Sequence, residues 1–253
     1  MTEKAIEDSS FEIEKLSEKE KQELIASDAV SVISGTTLGA ADLAFQPAKS
    51  LHINTKGIPW LRFPLPPSEL QTSIHNPDGS IAYNSTRSTR SSGSCVLTDA
   101  DGRQLLGTTY FFGPNRDPIL TRLDVGGGPD NEIKTLSKWT SRSQVFVLPD
   151  GRTFEWEYKK EKGFGNKGDK GTALIMSMQG RRIAVLVRND DTRTSGSKSC
   201  SAGNGGELIL GETVGGMDGL SEEIVVATCL LMLKKEVDRR RFVQILIISG
   251  GAT

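Results

Sequence analysis

Histidine and cysteine are scarce in this chain, with two of the first and three of the second in 253 residues. His52 and His75 stand alone, and Cys95, Cys200 and Cys229 lie far apart, so neither a tetrahedral zinc site nor a histidine-based triad can be assembled. An odd number of scattered cysteines suits reduced thiols, and the expected compartment is the cytoplasm, with a peripheral membrane or nuclear position also open. Long apolar runs are missing too. The longest, Ile224 to Leu233, is half of the roughly 20 residues that a bilayer helix needs, so no transmembrane segment is expected. Nor does one sign of charge dominate: 31 basic side chains face 32 acidic ones, which gives no general reason to expect nucleic acid. The N-terminus lacks the basic and apolar blocks of a secretory leader.

The motifs of chemistry are equally thin. There is no Gly-x-Ser-x-Gly elbow and no Gly-Lys-Ser/Thr triplet. Gly163 to Gly168 spells Gly-x-Gly-x-x-Gly, but a strand pattern follows it where a dinucleotide site needs a helix. Ser195-x-x-Lys198 matches a hydrolase pattern that belongs on a helix, in a stretch too rich in Gly and Ser to form one. No catalytic residue, metal or cofactor is expected, and the chain reads as a non-enzyme.

What is present is organised around the C-terminus. Ser221-Glu222-Glu223 supplies a hydroxyl cap and two carboxylates to a helix start, and Lys234, Lys235 and Arg239 to Arg241 stand where cations favour the carbonyl end, which predicts a helix over 221–241. Apolar residues on more than one face predict that this helix is buried all round. Leu230→Asp is therefore expected to unfold the domain. Whether 242–249 continues the helix or forms a last strand stays open, because periodicity does not separate the two.

Before the helix come short strands punctuated by Asp-Gly turns at 78–79, 101–102 and 150–151. Candidate strands include Leu51–Ile53, Trp60–Leu65, Ile81–Asn84, Ser94–Thr98, Gln104–Phe112, Ile119–Val125, Ile133–Trp139, Ala173–Met178, Arg182–Arg188 and Glu207–Gly211. The clearest hairpin alternates Val145 and Val147 on one arm with Phe154, Trp156 and Tyr158 on the other. Many strands and one all-apolar helix predict a mainly β fold, an antiparallel barrel of roughly twelve strands enclosing the C-terminal helix. Residues 1–45 form an acidic arm, with nine acidic side chains and four lysines in the first thirty residues, expected to be disordered or partly helical. The barrel domain then covers 46–253.

The hairpin VFVLPDGRTFEWEY, the strands RRIAVLVR and GELILGE, and the segment SEEIVVATCLLMLKKEVDRRR together resemble the tubby C-terminal-like superfamily, in a cadence similar to that of uncharacterised fungal members. Its relatives include the LURP-one-related proteins and the phospholipid scramblases. The resemblance implies the same barrel and central helix and, from the tubby branch, binding of phosphoinositide headgroups by basic surface residues. No catalytic residue carries over.

For such a surface the candidates are Lys159, Lys160, Lys162, Lys167 and Lys170, read as one hairpin loop, with Arg181 and Arg182 on the next turn. Each cation near an anionic membrane contributes about 1 kcal/mol. A solvated loop, offset by Glu157, Glu161 and Asp169, is the alternative. Asn189–Gly206 reads as a flexible hydroxyl-rich loop, and Arg87 and Arg90 as kinase determinants beside Ser85 to Ser94. The expected function is binding of anionic phospholipid through basic loops; a protein-interaction module without lipid affinity is the alternative. The expected partners are accordingly an anionic membrane lipid or a protein.

Overall fold

The computed structural model describes residues 17–29, 45–59, 69–90, 92–113, 116–126, 129–138, 140–215 and 220–250. Among the described residues fourteen strands precede the C-terminal helix: β1 Pro47–Asn54, β2 Ile58–Pro59, β3 Gln71–His75, β4 Ile81–Thr86, β5 Cys95–Asp99, β6 Gln104–Thr109, β7 Ile119–Arg122, β8 Glu132–Thr135, β9 Gln144–Val147, β10 Thr153–Lys162, β11 Lys170–Met178, β12 Arg181–Val187, β13 Cys200–Ala202 and β14 Glu207–Gly211. Twelve of them close an antiparallel barrel in the order β1-β14-β12-β11-β10-β9-β8-β7-β6-β5-β4-β3, with β3 returning to β1. Closure leaves the barrel no open edge. The other two, β2 and β13, pair with each other outside it.

The barrel is built on its turns. Asp78-Gly79, Asp101-Gly102 and Asp150-Gly151 join β3 to β4, β5 to β6 and β9 to β10, and their glycines take φ between +83° and +85°, which other residues rarely adopt. Strand alternation makes all three lie at one end. The β2 and β13 excursions lie at the opposite end, which has a mouth.

Helix α2, Glu222–Gly250, fills the interior. Val225, Val226, Cys229 and Met232 are at most 1% exposed, packed against inward residues of the strands around it, among them Ile53, Ile74, Leu106, Leu120, Ile133, Phe146, Trp156, Leu174 and Leu208. Trp156 donates its indole N–H to Thr228 Oγ1 at 2.9 Å, and that hydroxyl donates to Ile224 O at 2.7 Å, so the buried polar atoms are satisfied where strand meets helix. Phe146 and Phe154 stack at 5.0 Å beside them. Among the described residues no helix is long and apolar enough to cross a membrane.

Several expectations change. Residues 242–249 continue the helix, so Lys234 to Arg241 lie in its middle and not at its carbonyl end. The Ser221 carbonyl accepts from the Ile224 and Val225 amides, but its hydroxyl is buried without a hydrogen-bond partner, so it is no side-chain cap. Leu230 is only partly buried and faces the mouth, which makes it a poor probe of the core. β12 is apolar on both faces: Ala184 and Leu186 face the interior, while Val185 and Val187 join Ala173 and Ile175 in a second cluster, with Phe45, Phe164 and Ile209 packed against it. The candidate strand Trp60–Leu65 lies outside the described residues, as does most of the arm. Within the arm, Glu18–Ala29 is a helix, α1, which lies against α2. Ser17 and Glu20 start α1 with reciprocal bonds, Glu20 N to Ser17 Oγ at 3.3 Å and Ser17 N to Glu20 Oε2 at 3.0 Å.

Candidate functional site

The predicted basic cluster is not one loop. Lys159, Lys160 and Lys162 belong to β10 and Lys170 opens β11, with Lys160 opposite Thr172 and Lys162 opposite Lys170. Only 163–169 connect them. The tip folds back on the barrel wall: Phe164 lies under the Arg182 guanidinium at 5.7 Å, and Asn166 Oδ1 accepts from the Asp190 amide at 2.8 Å. Arg182 is committed to Glu161 at 2.8 Å, with both side chains at most 8% exposed. Lys159 reaches Glu157 at 3.1 Å. Arg181 stands exposed beside the Gln179-Gly180 turn. What remains together is Lys162, Lys167 and Lys170, all exposed at the tip. Like charges directly opposite, as in the Lys162–Lys170 pair, disfavour a hairpin and favour an anion that would screen them.

A second basic site lies at the mouth. Where α2 leaves the barrel, a cavity of about 240 Å³ opens between the helix, the ends of β3 to β6 and the β2–β13 ribbon. The helix presents Leu230, Lys234, Val237, Arg241 and Gln244 to it, a spacing of four, three, four and three that keeps all five on one face. Arg87 enters from the end of β4, Glu69 and Lys56 from the loops around β2, and Cys95 and Cys200 from β5 and β13. The far wall is drawn tight by Gly203, at φ +70°, where a Cβ would come within 2.0 Å of Val237 Cγ2.

Four cations line this cavity against one carboxylate, Glu69. Lys234 donates to Asp238 Oδ1 at 2.7 Å, one turn along, and Arg241 approaches the same oxygen at 3.5 Å. Burial pushes the Lys234 amine down; Asp238 opposes this, while Arg241 and Arg87 add to it, so the three cations feel one another. Arg87 Nη2 donates to Glu69 O at 2.5 Å, whereas Arg87 Nη1 is buried with no hydrogen-bond partner. The Cys200 thiol is pushed up, first by burial and then by Glu69. The site can receive an oxyanion. Among the described residues no group of three or more His, Cys, Asp or Glu is placed to hold a metal ion.

The other charged residues of this stretch of the helix find partners within the protein. Glu236 accepts from Arg188 Nη1 at 2.8 Å and from the Gly203 amide at 2.9 Å. Arg188 and Arg142 lie 5.4 Å and 5.3 Å from the centre of the Tyr158 ring. Lys235 donates to Gln144 Oε1 at 2.6 Å, and burial pushes its amine down to about 8.

Sequence reasoning did not find the mouth. Arg87 reads locally as a kinase determinant, and Lys234 and Arg241 as dipole partners; the one available signal was the single-face spacing of 230, 234, 237, 241 and 244. The loop 189–206 is likewise no free tether. Thr192 Oγ1 donates to Val187 O at 2.9 Å and Thr194 Oγ1 to Ile53 O at 3.0 Å, while Ser197 is fully buried, so its hydroxyl-rich composition serves the ends of β12 and β1. No protein-family model, curated protein or solved structure matches this chain.

Proposed function

We propose that this chain is a non-enzymatic, tubby-like binding protein for an anionic, phosphate-type ligand, held at the barrel mouth by Arg87, Lys234 and Arg241. The observation that carries the reading is a cavity lined by four cations and one carboxylate, with the Arg87 Nη1 buried and unpaired beside it. An oxyanion among those cations gains charge-assisted hydrogen bonds. Anionic phospholipid is the membrane-borne source of such a group. The exposed lysines of the β10–β11 tip support that source, since three cations near an anionic surface contribute about 3 kcal/mol at low salt.

Co-sedimentation with vesicles containing or lacking phosphoinositide, at low and high salt, tests the lipid source; calorimetry with inorganic phosphate tests the shared chemistry. Binding to anionic vesicles that fades with salt is expected, weakened by Arg87→Gln at the mouth and by Lys162, Lys167 and Lys170→Gln at the tip. Phosphate binding without vesicle binding assigns a soluble ligand. Absence of both at low salt, where attraction is least screened, sinks the proposal.

A further inference from the structure

Ile58 on β2 and Leu230 and Val237 on α2 give the mouth cavity apolar surface among its charges, Arg87, Lys234 and Arg241 with Lys56 and Glu69. A bare phosphate would engage the cations and leave the apolar surface unused. The volume suffices for an apolar body as well as a charged group: a cavity of about 150 Å³ accommodates benzene, and this one holds about 240 Å³.

We infer that the cavity takes a small amphiphilic anion, a single oxyanion group attached to an apolar body of about one ring or a short alkyl chain. This rests on the anion-binding reading above and narrows it. The oxyanion meets the Arg87, Lys234 and Arg241 side chains; the apolar body lies on Leu230 and Val237. Leu230, only partly buried though surrounded by core residues of α2, is where the ligand would cover an apolar side chain that the fold leaves open.

Calorimetry on the intact chain with inorganic phosphate, phenyl phosphate, benzoate and phenol separates the two levels. Phenyl phosphate or benzoate is expected to bind at least tenfold more tightly than inorganic phosphate, and phenol at least tenfold more weakly than the better of the two. Leu230→Phe, which fills the floor from a partly open position, is expected to reduce phenyl phosphate to the level of inorganic phosphate; circular dichroism confirms that the variant is folded. Arg87→Gln is expected to weaken every anion together. Equal binding of inorganic phosphate and phenyl phosphate overturns the amphiphile while leaving the anion reading intact. Phenol binding as tightly as phenyl phosphate, or no binding of any anion, overturns both.

Discussion

Replacing Lys235 with Met should stabilise the protein at neutral pH and lose that advantage as pH rises. The side chain is 6% exposed, and its ammonium has a carboxamide and a backbone carbonyl for partners, Gln144 Oε1 at 2.6 Å and Lys138 O at 3.4 Å, with no carboxylate in contact. Burial, reinforced by Arg239 and only partly opposed by Asp117, lowers its pKa from 10.5 to about 8. At about 1.4 kcal/mol per unit, holding the proton in the fold costs about 3 kcal/mol. Between pH 8 and 10.5 the unfolded chain keeps a proton that the folded one has released, so the unfolded state binds more protons and stability rises with pH. Below pH 8 the whole penalty is present. Met removes it and leaves Gln144 Oε1 unpaired, a loss of about 1 kcal/mol, for a net gain of about 2 kcal/mol at pH 7 that disappears by pH 10. Urea unfolding of both proteins at pH 7, 8.5 and 10 measures the difference. Taking the difference cancels Cys229, pushed up to about 12 by burial, and the buried tyrosines, which keep protons in the fold and destabilise it at high pH. A Lys235→Met protein that is less stable at pH 7, with a gap independent of pH, would refute the reasoning.

Two further outcomes test the interior. Glu236→Gln should cost about 3–5 kcal/mol in urea unfolding, because it leaves the Arg188 guanidinium buried, whereas Arg188→Met with Glu236→Leu should recover most of that loss; a neutral single substitution would mean that the pair is hydrated. Val226→Asp places an uncompensated carboxylate at a position of zero exposure inside the barrel and should abolish cooperative folding, while Leu230→Asp, at the partly open mouth, should leave a folded protein. A soluble, cooperatively melting Val226→Asp protein would remove the central helix from the fold.

The strands were legible where apolar residues alternate, but not always which face points inward. β9 and β10 keep a period of two around Asp150-Gly151, with Phe154 and Trp156 buried as expected, whereas on β9 the phase is reversed: Gln144 and Phe146 are buried and Val145 and Val147 lie on the half-exposed face. β3 was missed because Gln71–His75 has one fully buried aliphatic residue, Ile74, among small polar ones, so that its place comes from pairing with β1 and β4. The outer halves of β10 and β11 were read as a loop because Lys159 to Lys162 and Lys170 to Thr172 carry no apolar side chain. Charge does not tell strand from loop, since Glu161 is buried against Arg182 and the ladder runs on to Lys162 opposite Lys170.

The block KKEVDRRR failed for a different reason, and that failure hid the site. A helix end and a helix crossing a polar rim look alike in sequence, since both follow an apolar run with charges. They differ in what meets the charges. At an end, water and the last carbonyls would suffice; here Glu236 takes Arg188 and the Gly203 amide, Lys235 takes Gln144, and Arg239 approaches Thr140 O at 3.5 Å, partners far away in sequence. Local reading cannot supply those partners. Asp238, four residues from Lys234 and three from Arg241, was within reach of it, as was the single face shared by Lys234, Val237 and Arg241. The internal pairs leave that face with more positive than negative charge, and a helix that continues past it as Phe242, Val243 and Leu246 has no end there for the dipole rule to explain. Arg87, about 150 residues earlier in the chain, lines the cavity beside that face together with Lys234 and Arg241.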